Sequence, residues 1–205
     1  IRWYRLWGTL PVPEWVRAAE CFRSGDFREA VNSYKAGLAL HGEHPAANSA
    51  RYDLAYCLFR LDRLHKSLIV LRSLLMKEEP LVDAYLLCAR ILLILGRALS
   101  AVRIIENGLV RFPDDVRLLS AALHAALNSC LPLYETEEIK NRLLRARSKL
   151  ALDDVNNQYV DTALAHYEFF AGDESRGDRL LARVLAGGSC SFDAVLLRGE
   201  RLLTM

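Results

Sequence analysis

Four small residues recur along this chain in a single frame. Ala30, Ser67, Ala101 and Gly177 each stand five places after a residue that interrupts an apolar helical pattern: Gly25, Asp62, Gly96 and Gly172. The intervals between them are 37, 34 and 76 residues, and the last leaves room for one longer unit. Twelve places before each stands an alanine: Ala18, Ala55, Ala89 and Ala165. Eight places before come Phe22, Phe59, Leu93 and Phe169, and four places after come Tyr34, Leu71, Ile105 and Leu181. Eight places after, the residue is leucine every time: Leu38, Leu75, Leu109 and Leu185. An alanine column and a leucine column without exception in one frame define an internal repeat of about 34 residues.

Each column has a physical reading. Two helices of three to four turns pack antiparallel across a short turn. Their closest approach needs small side chains, so Ala18 is set opposite Ala30 and Ala89 opposite Ala101. Gly25, Gly96 and Gly172 end the first helix of a pair, because glycine takes the left-handed conformation cheaply. Asp26 and Asp173 suit the polar turn that follows. Pro45, Pro80 and Pro113 lie after the second helices and help to stop them. Apolar residues make up 52% of the 205 residues, with Leu and Ala prominent, which favours helices over sheet.

The stretch "VDAYLLCARILLILGRALSAVRIIENGLVRFPDD" (82–115) carries the pattern most fully, in Tyr85, Ala89, Leu92, Gly96, Ala101, Ile105 and Pro113. In these residues the chain resembles the tetratricopeptide repeat (TPR) family. The resemblance covers residues 11–191. Residues 48–81 follow it with Asp62 for the turn glycine and Ser67 for the alanine, residues 11–47 with three extra residues near "HGEH", and residues 158–191 with Gly177 at the alanine place. Residues 116–157 depart from it: "SCLPLYETEE" lengthens the internal turn by about eight residues, and a helix is expected over 137–152, capped by Thr136. Residues 192–205 read as a capping helix. The fold implied is all-α: a right-handed superhelix of about five antiparallel helical hairpins, an α-solenoid.

In such a solenoid the first helices line the inner surface. Carried over residue by residue, the family's inward positions give Trp15 and Arg23, then Tyr52, Tyr56 and Arg60, then Arg90, then His124 and Asn128, and last Tyr159, His166 and Phe170. Phe22, Phe59 and Phe169 are assigned to the core between repeats. A groove of aromatics and scattered cations suits a polypeptide with apolar anchors and some acidic residues. The terminal-carboxylate clamp of the family's chaperone-binding branch is absent, since its places hold Trp15, Ala19, Tyr52, Asp53 and Tyr56.

Other chemistry is poorly supported. A net charge of +2 gives no field for nucleic acid or an anionic membrane. Cys21, Cys57, Cys88, Cys130 and Cys190 are odd in number and lack CxxC spacing, so reduced, buried thiols in a cytoplasmic compartment are expected, without disulfides or a zinc site. No phosphate loop or HExxH occurs. His41, Glu43 and His44 share a loop but have weak metal spacing, and His124 and His166 have no nucleophile or carboxylate pair spaced to work with them. "KNRLLRARSK" (140–149) is a basic helix that reads as a solvated face with Leu143 and Leu144 inward; contact with RNA is the competing reading. The longest apolar run, 85–95, is too short to span a bilayer and contains Arg90. Residues 1–10, "IRWYRLWGTL", mix cations with amphipathic aromatics, which reads either as an ordinary capping segment packing its aromatics on the first helix or as a juxtamembrane flank after an upstream anchor, since a membrane–water interface prefers that mix. These readings converge on a non-catalytic protein-binding scaffold without cofactor or metal, whose partner is another polypeptide or a second copy of itself. It would act within a multi-protein assembly, such as membrane-tethered secretion or envelope machinery. The alternative is a regulatory domain of a larger enzyme.

Overall fold

The computed structural model describes residues 12–78, 80–129, 132–151 and 154–186, together with Leu197. The flank at 1–10 and the capping segment at 192–205, Leu197 apart, lie outside the described residues. Within them are ten helices and no strand: α1 (Pro13–Ser24), α2 (Phe27–Leu40), α3 (Ala47–Arg60), α4 (Leu64–Leu75), α5 (Val82–Ile94), α6 (Ala98–Arg111), α7 (Val116–Asn128), α8 (Leu133–Arg147), α9 (Asn157–Ala171) and α10 (Glu174–Ala186). They fall into two compact units, Ile1–Ile91 and Leu92–Met205, with the boundary inside α5.

In the first unit, Pro13 opens α1 with a φ already suited to a helix. Gly25 closes it in the left-handed region at φ 83°. Asp26 then caps α2, its carboxylate accepting from the Glu29 N–H at 3.1 Å. Asp62 takes the same turn position after α3 at φ 57°, and is the one described non-glycine residue with a positive φ. The small-residue column lies where the hairpin helices meet. Ala18, Ala30 and Ala55 are fully buried, and the Ser67 hydroxyl donates to the Ala55 carbonyl at 2.7 Å, joining α4 directly to the backbone of α3. Tyr34, Leu54, Leu58 and Trp15 pack around these contacts as the core. Cys57 and Cys88 are buried, and burial pushes their thiols up to about 12 and about 11, so both stay protonated.

The second unit repeats the logic. Gly96 and Gly172 occupy their turns at φ 69° and 88°. Asp115 caps α7, accepting from the N–H groups of Arg117 and Leu118. Helix α7 packs on α6, α8 and α9, and α9 pairs with α10. Ala165 is fully buried and faces a region where Gly177 is buried as well. Asp161, buried on α9, takes Arg147 of α8 at 2.7 Å and Arg183 of α10 at 3.5 Å, so one carboxylate ties three helices. A buried carboxylate of this kind requires its partners, because removing them leaves an uncompensated charge.

The irregular unit differs from expectation. Helix α8 starts at Leu133, four residues before the expected 137, and ends at Arg147. Pro132 sets this start: it has no N–H to lose and its φ of −55° is helix-compatible. Thr136 is therefore a buried residue of the first turns and not a cap. Leu143 is fully buried, but Leu144 is 39% exposed. Neighbours on a helix point about 100° apart, so only one of the two faces the core.

Two substitutions measure these packing claims. A Cβ at Gly37 would fall inside the Trp15 indole, and Trp15 is fully buried with nowhere to move. Overpacking costs about 1–3 kcal/mol against a propensity gain of about 0.5–1, so Gly37→Ala should lower stability in urea by about 1–2 kcal/mol. Asp62→Gly should do the reverse, raising it by about 0.5–1 kcal/mol by relieving the left-handed residue. An unchanged urea midpoint in both variants contradicts this account.

Candidate functional site

In the first unit a row of rings runs across three helices. Phe27 of α2 meets Phe22 of α1 edge-on with centroids 5.7 Å apart. Phe22 meets Tyr56 of α3 at 5.6 Å, and Tyr56 meets Phe59 at 6.1 Å. The helical geometry explains the last step, since residues three apart on α3 share a face. A guanidinium covers each end of the row: Arg60 lies over Phe27 at 4.6 Å and Arg90 over Phe59 at 5.8 Å. All four rings are half-buried, as are Tyr52 and Arg90, while Arg60 and Arg23 are exposed. Arg23 folds back on its own helix, donating to the Ala19 carbonyl at 3.2 Å. Phe22, assigned to the core between repeats from sequence, packs against the core and meets Tyr56 of the next hairpin, and both it and Phe59 are half-buried.

Trp15 is not a groove residue. It is fully buried, seated over Gly37, with the rings of His41 and His44 edge-on at 6.4 and 5.3 Å. Indole is large and amphipathic, and an absent side chain at Gly37 makes the slot that takes it. A glycine inside an otherwise regular helical pattern was the available signal. The same contacts account for the loop histidines: His44 accepts from the Ala46 N–H through Nδ1 at 3.1 Å. Among the described residues no group of three or more His, Cys, Asp or Glu comes together as a metal set.

The second unit brings His124 of α7 and His166 of α9 together, with their Nδ1 atoms 2.8 Å apart. Both are half-buried, and burial, with His124 adding to it, pushes His166 down to about 4. Asn128 lies one turn along, its amide donating to the His124 carbonyl at 2.8 Å. Tyr159 and Phe170 are 37% and 51% exposed at opposite ends of α9. Eleven residues of helix set them roughly 16 Å apart, so no single contact patch unites them. The basic stretch 140–149 is largely engaged within the unit. Lys140 sits 4.1 Å over the Tyr167 ring and 3.4 Å from Glu137. Arg147 holds Asp161 at 2.7 Å, and Lys149 holds Asp114 at 2.7 Å.

Sequence reasoning noted Asp53 only as a place where the clamp residue is missing. It is half-buried on α3 beside the ring row, where it accepts from the Tyr34 hydroxyl at 3.1 Å. Burial raises its carboxyl from 3.8 to about 6, with the Tyr34 hydrogen bond opposing the rise. A folded value above the unfolded one means that ionisation costs the folded state. That cost is present above about 6 and disappears as the pH falls towards 4. Asp53→Asn should therefore stabilise the protein by about 1–2 kcal/mol at pH 7.5 and by almost nothing at pH 4. Urea unfolding at both pH values measures this, and a difference independent of pH excludes it.

No protein-family model and no curated protein matches the chain. Solved structures do match. A tetratricopeptide repeat protein from Parabacteroides merdae superposes with a TM-score of 0.66 at 17% identity, over 85% of this chain and 65% of that one. A thermophilic TPR protein of Thermus thermophilus gives 0.65 at 16%, over 93% and 97%. YrrB, a TPR protein with an unusual peptide-binding site, gives 0.55 at 10%, over 92% and 91%. With the hairpins, the buried alanine column and the left-handed turn residues in place, the chain has the all-α tetratricopeptide-repeat fold of the α-solenoid class.

Proposed function

We propose that the protein is a non-catalytic interaction scaffold that holds a partner polypeptide against the aromatic row of its first unit. The observation that carries this reading is the run Phe27–Phe22–Tyr56–Phe59 with Arg60 and Arg90 at its two ends. Half-buried rings give contact area at small entropic cost, and the exposed Arg60 guanidinium stacked on Phe27 is held in place for a carboxylate. The fitting partner is a segment with an apolar or aromatic anchor flanked by acidic residues. Such a reading needs no bond made or broken. YrrB, which shares the fold, is described by its peptide-binding site, and that supports a polypeptide ligand here. A multi-protein assembly is the setting we favour, with a membrane tether supplied by sequence outside the described residues; no described helix is long and apolar enough to cross a membrane. An RNA-contacting role is disfavoured by the stretch 140–149, where Lys140, Arg147 and Lys149 are held by Glu137, Asp161 and Asp114.

A display library of peptides of mixed sequence, selected on the full chain and measured by fluorescence anisotropy, tests the proposal. Enrichment of acidic segments carrying an aromatic or branched apolar residue is expected. Tyr56→Ala and Arg60→Ala should each weaken the selected peptide about tenfold or more, as removal of a central anchor does. Raising the salt should weaken it further through the arginine contribution. Selection of peptides whose affinity is indifferent to both substitutions removes the site from this face.

A further inference from the structure

We infer that His124 and His166 form a chelating site for a divalent transition ion of tetragonal preference, Ni(II) or Cu(II). The reading rests on the geometry of the pair and not on the aromatic row. The two Nδ1 atoms lie 2.8 Å apart on helices α7 and α9. Ring centres only 4.6 Å apart, with planes tilted by 50°, mean that the rings are inclined to the line joining those nitrogens instead of meeting end to end. Two imidazoles sharing one ion through Nδ1 at a right angle set their ring centres about 4.5 Å apart, and the observed 4.6 Å matches that spacing. With metal–nitrogen bonds of about 2.0–2.1 Å, cis ligands at a right angle stand about 2.9 Å apart, whereas tetrahedral ligands stand about 3.3 Å apart. The spacing thus fits a right-angled bite and is short for a tetrahedral zinc site.

The backbone supports that placement. α7 and α9 pack directly on one another, so the two imidazoles come from neighbouring rigid helices and not from a loop. The carbonyl of His124 is held by the Asn128 amide at 2.8 Å. Both residues are half-buried. Before an ion enters, one Nδ1 carries a hydrogen that it shares with the other. On binding, that hydrogen moves to Nε2 of the same ring, and both imidazoles remain neutral, so the exchange needs no net proton release. Among the described residues no third His, Cys, Asp or Glu completes a set, so water fills the remaining positions. The ion would pin α7 to α9 and raise thermal stability in proportion to its occupancy.

The test is titration of the purified full chain with Ni(II), which thiols do not reduce, by calorimetry and by thermal melting at pH 7.5. One ion per chain, a rise in Tm, and a preference for Ni(II) over Zn(II) are expected. His124→Gln and His166→Gln, made separately, should each weaken binding about tenfold or more, while His41→Gln should leave it unchanged. Nickel X-ray absorption on the wild type counts the imidazoles directly and does not depend on either variant folding; two are expected. Binding that survives both glutamine substitutions, fewer than two imidazoles, or tighter Zn(II) than Ni(II) binding overturns the site.

Discussion

Two helix backbones can approach closely only where nothing larger than a methyl or hydroxymethyl group stands between them. In the first unit that constraint is met by Ala30 and Ser67 at the starts of α2 and α4 and by Ala18 and Ala55 in α1 and α3, and in the second by Gly177 in α10 and Ala165 in α9, while Ala89 and Ala101 hold the same places in the repeat. All of these are buried. The Ser67 hydroxyl bound to the Ala55 carbonyl shows how near the backbones come. Everything larger is arranged around these points of contact. Tyr34, Leu71, Ile105 and Leu181 fill the space one turn further along, and all four are buried. The turn that brings the helices back must be tight, which is why three glycines and Asp62 hold left-handed conformations there.

Close hairpins leave a consequence at the surface. When small residues bring helices together, the large side chains eight places earlier are pushed towards the edge of the contact. Phe22 and Phe59 sit there half-buried, each sharing its exposed part with Tyr56. The same displacement puts Phe169 against Gly177, where a Cβ would meet its ring. Phe22 and Phe59 thus enter the aromatic row from fixed places in the repeat, and Arg60 and Arg90 stack on its two ends. In the second unit His166 follows Ala165 as Tyr56 follows Ala55, and it meets His124 of α7.

Much of the fold was legible before any coordinates. A regular spacing of alanine, leucine and turn residues is a statement about backbone geometry, and backbone geometry repeats. The site was less legible. Tyr56, Arg60 and Arg90 each contact a ring of the aromatic row, whereas Trp15 is buried in a slot that Gly37 opens and the period does not encode. Thr136 failed as a cap because Pro132 starts the helix first. Asp53 drew notice only as a missing clamp residue, although its burial beside Tyr34 gives it the most shifted carboxyl on the first unit's described helices.

The sequence by itself determined that the chain is helical, that it is built of hairpins, and where most of them turn. Those properties depend on residues near one another along the chain: periodic apolar positions, a capping aspartate, a glycine able to take positive φ. Only the tertiary structure decided which rings touch, which cations stack on them or are consumed by Glu137, Asp161 and Asp114, and that His124 meets His166 across 42 positions. Those outcomes are set by how far a side chain reaches from its own helix and by what its neighbour leaves open, and neither quantity is carried by a local pattern.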